Sequence, residues 1–238
     1  MKINIYRRAD CAKAQGLCVI IDVLRAFTTA AFAFAAGAKE IILVSSIEEA
    51  LKLYQEDNRL ILMGEQGGMR IEGFHYGNSP VEIQKANLTG RTIVQRTSAG
   101  TQGVVACGHA SQMMIASFVV AEATLQHITA SSPSEVSFIV TGEHNGDEDL
   151  ALAEYLRDRL LYKTSSISSF LDRVRISPEG RVFADPAIAE FPVQDLELAL
   201  QVDQFPFAME VKKQNNRLVA QKVRSLKEQP LCNEVGEK

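Results

Sequence analysis

The chain has no tryptophan, only four histidines and four cysteines among its 238 residues, and no unbroken apolar run long enough to cross a bilayer. Each scarcity excludes something. The histidines at positions 75, 109, 127 and 144 form no H-x-x-x-H or H-E-x-x-H pattern, which argues against a zinc centre. The cysteines at 11, 18, 107 and 232 form no C-x-x-C pair. Free thiols in a reducing cytoplasm are the expected state, with Cys18 and Cys107 in the core. Cys107 beside His109 is a remote candidate for a nucleophile. The most apolar stretch, LCVIIDVLRAFTTAAFAFAAGA, is interrupted by Asp22 and Arg25, so it reads as a strand and a buried helix, not a membrane span. Positive charge is not in excess: 25 Lys and Arg face 29 Asp and Glu, a net charge of −4. No basic stripe for nucleic acid is expected. Neither a G-x-x-x-x-G-K-[ST] loop nor G-x-G-x-x-G occurs, which disfavours a nucleotide-dependent transferase. C-x₅-R is absent. Asp22 lacks the second acid two residues on that aspartyl-phosphate hydrolases carry, since Leu24 stands there.

What is present is alternation. Short β-branched runs at 17–21, 41–44, 60–63, 92–95, 113–116 and 136–140 read as strands buried on both faces. The opening MKINIYRRAD alternates like a strand. Between the strands lie a small-residue helix at 28–36 ending on Gly37, an amphipathic helix at 46–53 with Ser46 as N-cap, and the strong helix DEDLALAEYLRDRLL. Strand–helix alternation predicts βαβ units in an α/β fold: a layered, mainly parallel or mixed sheet flanked by helices. No Pro/Ser-rich linker divides the chain, so residues 1–238 are read as one domain. CVIIDVLRAFTTAAFAFAAGAKEIILVSS echoes TIVQRTSAGTQGVVACGHASQMMIAS in outline. Two similar α/β halves and the generic βαβ pattern both account for that. FPFAMEVKKQNNRLVAQKV reads as a terminal hairpin turning at QNN within a polar tail, and KEQPLCNEVGEK as a loosely ordered end.

In open parallel sheets, ligands bind at the carboxyl ends of strands. Polar clusters fall at four such ends: Asp22 and Arg25; Glu65 with Gly64, Gly67 and Gly68; Arg96, Thr97, Ser98, Gly100 and Thr101; and Glu143, Asp147, Glu148 and Asp149. Carboxylates suit a hard divalent cation such as Mg²⁺, for which Asp22, Glu65, Glu148 and Asp149 are candidates. Glycine- and Thr/Ser-rich turns offer N–H groups and hydroxyls to an anion, and Arg25 and Arg96 can grip phosphate or sulfonate bidentately. Simpler roles compete: a helix cap for Asp22, dipole compensation for Glu148 and Asp149, a solvated charge for Arg25, a plain turn for GNSP. The residues alone reach metal-assisted chemistry on a small anion.

Four blocks in order, VIIDVLRAFTTA, GEQGGMRIEGFHYGNSP, RTSAGTQG and GDEDLALAEYL, resemble the 2-phosphosulfolactate phosphatase family over residues 19–156. The resemblance implies an α/β, Mg²⁺-dependent phosphatase that converts 2-phosphosulfolactate to 3-sulfolactate and phosphate in coenzyme M biosynthesis. It points to Asp22 and Arg25 as catalytic, to Arg25, Asn78, Ser79, Arg96, Thr97, Gly100 and Thr101 as substrate-binding, and to Asp22, Glu65, Glu148 and Asp149 as holding the metal. Gly73 also falls in these blocks. Ala99 and Gln102 stand where the family often has Asn and Arg, and His75 where it often has Asp. These departures bear on the substrate, and a related phosphorylated hydroxy acid or a non-catalytic anion-binding protein are the alternatives. The expected partner is a small anionic molecule, with neither nucleic acid nor membrane; homo-oligomerisation is left open.

Overall fold

A computed structural model describes residues 1–142, 146–162, 166–185 and 187–224. Glu143, His144, Cys232 and the closing KEQPLCNEVGEK lie outside the described residues. The chain forms an α/β fold on a ten-stranded mixed sheet flanked by helices, in the order β1-β8-β2-β7-β9-β10-β3-β6-β4-β5. Four strands, β1 (Lys2–Arg7), β8 (Glu135–Val140), β2 (Leu17–Ile21) and β7 (Gln112–Ala116), run parallel. So do β3 (Glu40–Val44), β6 (Thr92–Arg96) and β4 (Ile61–Gln66), with the two-residue β5 (Met69–Arg70) folded back on the edge. The hairpin read as terminal and polar stands instead between these two groups. Its strands β9 (Phe207–Gln214) and β10 (Arg217–Arg224) are antiparallel to each other, to β7 and to β3. Its turn residues Asn215 and Asn216 both take positive φ, as a two-residue primed turn requires. One face of the hairpin looks polar in sequence because only alternate residues, among them Met209, Val211 and Ala220, face the central core.

The helix α1 (Ala26–Ala35) explains the shape of the sheet. Its sequence AFTTAAFAFA is apolar or small on every side, and residues 26–34 are all buried, as expected of a helix enclosed on all faces. A single core cluster packs it against Ile20, Ile115 and Ile139 from one parallel group and Ile41, Met63 and Ile93 from the other. The sheet therefore curls around α1. The opposite face of the sheet carries two separate clusters. One lies under α5 (Ala121–Ser131), α6 (Asp147–Tyr162) and α7 (Ser168–Ile176), the other under α2 (Ile47–Glu56). In α2, Ser46 caps the helix as expected, its hydroxyl accepting from Glu49 N at 3.1 Å. Shorter helices complete the chain: α3 (Pro80–Ile83), α4 (Gly100–Ala106), α8 (Pro178–Val182) and α9 (Val193–Ala199). Among the described residues, no helix is long and apolar enough to cross a membrane.

The curl has a consequence for the site. Three antiparallel pairings separate β7 from β3, so the two parallel groups run in opposite senses along the ladder. In a flat sheet their carboxyl ends would lie on opposite edges. In the curled sheet they converge instead: residues following β2, β6 and β8 and the end of β4 line one cavity. The approach is close at Gly100: a β-carbon there would lie 2.7 Å from both Asp22 Oδ2 and Ala26 Cβ.

Candidate active site

The strand ends enclose one cavity of about 400 Å³, lined by Asp22, Arg25, Glu65, Asn78, Glu148 and Asp149 among others. The four carboxylates read from the sequence as cation ligands all border it. They differ in how they are held.

Asp22 directly follows β2 and stands four residues before α1 begins at Ala26. Its Oδ1 accepts from Ala26 N at 2.8 Å and its Oδ2 faces Thr141 Oγ1 at 3.4 Å, while the Gly100 backbone N–H lies beside the carboxylate and favours its charged form. Helix capping and a place in the cavity, alternatives in the sequence, are thus both met by one residue. Burial, reinforced by the charge of Glu65, pushes its carboxyl up to about 6. Asp149, in the first turn of α6, clasps the ends of β2 and β8. Its Oδ1 accepts from Val23 N at 2.8 Å and its Oδ2 from Gly142 N at 2.9 Å and Thr141 N at 3.2 Å. Even so, burial and the neighbouring Asp22 charge hold it well above the usual carboxylate range. Glu148 is 2% exposed, and among the described residues its Oε2 has no hydrogen-bond partner. Burial, with the charges of Asp149 and Glu179, pushes it up to about 10. Glu65 receives three donors: Ser98 N at 2.5 Å on Oε1, and Gly68 N at 2.7 Å and Ser98 Oγ at 3.0 Å on Oε2.

Arg25 is buried, but its charge is already matched. It pairs with Asp195 at 2.7 Å, the two side chains being 4% and 0% exposed. It also donates to Glu190 O at 3.0 Å and Gly68 O at 3.2 Å, and lies over the rings of Phe191 and Phe183 at 4.7 and 5.3 Å. Asp195 in turn accepts from Ser79 Oγ at 2.7 Å and Val81 N at 3.1 Å. Ser79 therefore braces the partner of Arg25 and caps α3; it does not line the cavity. Asn78 does, with its Oδ1 buried and lacking a hydrogen-bond partner among the described residues. Thr97 and Thr101 spend their hydroxyls on each other's backbone N–H groups, at 3.0 and 2.9 Å, which caps α4. Gly100 serves by proximity to Asp22. Arg96 faces a neighbouring cavity and donates to Glu65 O at 2.8 Å. His75 is remote: its Nδ1 accepts from Leu62 N at 3.0 Å and its ring meets Tyr54 edge-on. Contact with the Cys11 and Cys18 thiols, and burial, hold the Cys107 thiol far above its ordinary range, so it is no nucleophile.

The sequence places Ser98 in a strand-end cluster without giving it a role, and it gives no sign of Glu179, Phe183, Phe191 or Asp195. The stretch 168–199 gave short amphipathic patterns and no motif. A carboxylate in VQDLELA carries no local sign that it faces an arginine 170 positions earlier.

Mg²⁺ fits this donor set. Three of the four carboxylates are held protonated more tightly than usual by burial and by one another, and among the described residues the buried Glu148 Oε2 lacks a hydrogen-bond partner. Among the described residues, no three ligating side chains form a ready-made cage. Mg²⁺ does not need one, since it keeps several waters and takes one or two carboxylates.

An α/β sheet whose strand ends gather carboxylates and glycine turns around a small cavity defines an enzyme for a small anionic ester. The 2-phosphosulpholactate phosphatase family model matches residues 4–179. The chain is 30% identical over 216 residues to a probable 2-phosphosulfolactate phosphatase of Bacillus subtilis, covering 89% of this chain and 94% of the relative. It is 33% identical over 165 residues to one from Caldicellulosiruptor saccharolyticus, covering 67% of each. Over 148 residues it is 36% identical to one from Deinococcus radiodurans, covering 58% and 60%. The chain belongs to the 2-phosphosulfolactate phosphatase family, a family of phosphoric monoester hydrolases.

Proposed function

We propose that the chain hydrolyses 2-phosphosulfolactate to 3-sulfolactate and phosphate with the help of Mg²⁺, the step that occurs in coenzyme M biosynthesis, in the cytoplasm. The observation that carries this reading is the cluster of buried carboxyls lining the cavity, among them Glu148, whose Oε2 has no hydrogen-bond partner among the described residues. Glu148 and its neighbour Asp149 would hold the cation, with Asp22 and Glu65 facing it. When bound, Mg²⁺ supplies a Lewis acid that neutralises the phosphoryl oxygens. Asp22 is the proton carrier. Water attacks phosphorus, its proton passes to Asp22, and the bond from phosphorus to the hydroxy-acid oxygen breaks. That oxygen leaves as the hydroxyl once it takes a proton back. A carboxyl shifted to about 6 suits accepting and returning a proton near neutral pH. Gly100 and Ala26 orient the carboxylate through their N–H groups, and the Arg25–Asp195 pair fixes the cavity wall.

The test is phosphate release from 2-phosphosulfolactate and a panel of phosphorylated hydroxy acids, in Mg²⁺ and in EDTA. Metal-dependent release from the sulfonate supports the reading. Release from another panel member alone keeps the reaction and moves the substrate, the outcome that Ala99 and Gln102 would then explain. No release from any would replace it with a non-catalytic anion-binding role.

A further inference from the structure

The phosphatase reading uses the carboxylate cavity and leaves its neighbour without a role. The second cavity, about 600 Å³, is lined by Arg8, Gln66, Arg96, Ser98, Gln102 and Ala106, with Ala9 at its rim. Ser98 borders both cavities, so the two lie on either side of this one residue.

The two cavities have opposite charge. In the first, the one arginine is neutralised by Asp195. In the second, Arg8 Nη1 donates to Ser98 O at 2.9 Å, and Arg96 donates to Glu65 O at 2.8 Å and Ser45 O at 3.4 Å. These acceptors are backbone carbonyls, and among the described residues neither guanidinium meets a carboxylate side chain. Two positive charges thus stand unbalanced in a hollow of a protein whose net charge is −4. Gln102 adds no negative charge, its amide nitrogen donating to Ser45 O and Thr97 O at 2.9 Å each.

We propose that this second cavity seats the substrate's other anionic group, a sulfonate or carboxylate, with Arg8 and Arg96 as specificity-determining residues; this rests on the phosphatase reading. The charge segregation sets the orientation. A phosphoryl group goes where a divalent cation is held, and a group with no affinity for the buried carboxylates goes to the planar guanidinium donors, which match tetrahedral oxyanions.

Steady-state kinetics of wild type, Arg8→Gln and Ala106→Glu on 2-phosphosulfolactate and on ethyl phosphate test it. Arg8→Gln removes a cation, whereas Ala106→Glu adds a carboxylate from an exposed position without disturbing a side-chain hydrogen bond. For each variant the kcat/KM ratio of the sulfonated ester to ethyl phosphate is expected to fall roughly tenfold or more, through KM, as loss of a charge-assisted contact implies. An unchanged ratio in both variants overturns the proposal. If wild type hydrolyses no phosphate ester, the phosphatase reading fails by itself. Calorimetric titration with 3-sulfolactate then decides the cavity: binding to wild type weakened roughly tenfold by Arg8→Gln supports it, and no binding, or equal binding, overturns it.

Discussion

The β1-β8-β2-β7 half of the sheet and the β3-β6-β4 half meet at one seam and bring different chemistry to it. The first contributes Asp22 and, through the helix that follows β8, Glu148 and Asp149, all with carboxyls pushed upward by burial and by one another. The second contributes Glu65, whose oxygens take three donors from its own loops, and Arg96, which braces Glu65 from behind. Carboxylates with similar burial thus do different work. Glu65 spends its oxygens on the loops of its own half. Asp149 also accepts three N–H groups, yet burial and the Asp22 charge hold it up; a buried acid crowded by other acids calls for a proton or a cation.

The largest expected effect comes from removing the acid that joins α1 to this seam. Asp22→Asn should lower kcat at least roughly 10³-fold, about 4 kcal/mol of barrier, while leaving Mg²⁺ binding measurable by calorimetry. Glu148→Gln should instead abolish Mg²⁺ binding in the same titration. If both variants lose binding alike, the division of labour between the residues is wrong. Next in size is Asp195→Ala, which strands the Arg25 charge in the interior. Breaking a buried pair in this way costs about 3–5 kcal/mol, to be read as a lower denaturant midpoint. A variant as stable as wild type would mean that Arg25 finds water or another acceptor. Then it belongs with the reactive groups and not with the wall.

These partners show what the sequence could and could not disclose. The short β-branched runs and the strong helix at α6 are local patterns, and they were legible. So was the placing of Asp22, Glu65 and Asp149 at strand or helix ends. The hairpin was recognisable as a hairpin through its Asn-Asn turn, but not its position, because strand pairing order depends on what packs against α1 and not on the hairpin's own residues. The predicted convergence of strand ends assumed a single edge, whereas the structure reaches it by curling two opposed halves. Thr97 and Thr101 have the side chains of an anion site, yet a hydroxyl four residues from a free N–H satisfies its neighbour first. Asp195 was invisible for the complementary reason: its meaning comes from a residue far away in the chain.

The third effect is pH-dependent. Asp22 is raised from 3.8 to about 6 and Glu148 from 4.5 to about 10 in the folded state. Between those limits the native protein binds more protons than the unfolded chain, so stability falls as pH rises. For Asp22 alone the loss is on the order of 3 kcal/mol, complete above its folded value. In EDTA, the melting temperature should drop from pH 5 to pH 8, and Asp22→Asn should remove the part of the drop below about pH 6 while the part due to Glu148 remains. Added Mg²⁺ should restore stability most at the higher pH, because the cation competes with protons for the same oxygens. A curve that rises from pH 5 to pH 8 without metal would show that burial and mutual repulsion do not hold these carboxyls up.

The smallest effect tests the seam itself. Gly100 belongs to the β6 half, and a β-carbon there would sit 2.7 Å from Ala26 Cβ and Asp22 Oδ2 and 3.1 Å from Phe27 Cζ, all on the other half. Gly100→Ala must therefore push the halves apart, at a cost of about 1–3 kcal/mol for overpacking. The same push displaces Asp22 from the N–H that orients it, so kcat should fall even at temperatures where the variant is fully folded. Loss of stability with unchanged turnover would mean that the contact between halves is packing alone. Loss of both, measured on folded protein, would show that the proton carrier of one half is positioned by the backbone of the other.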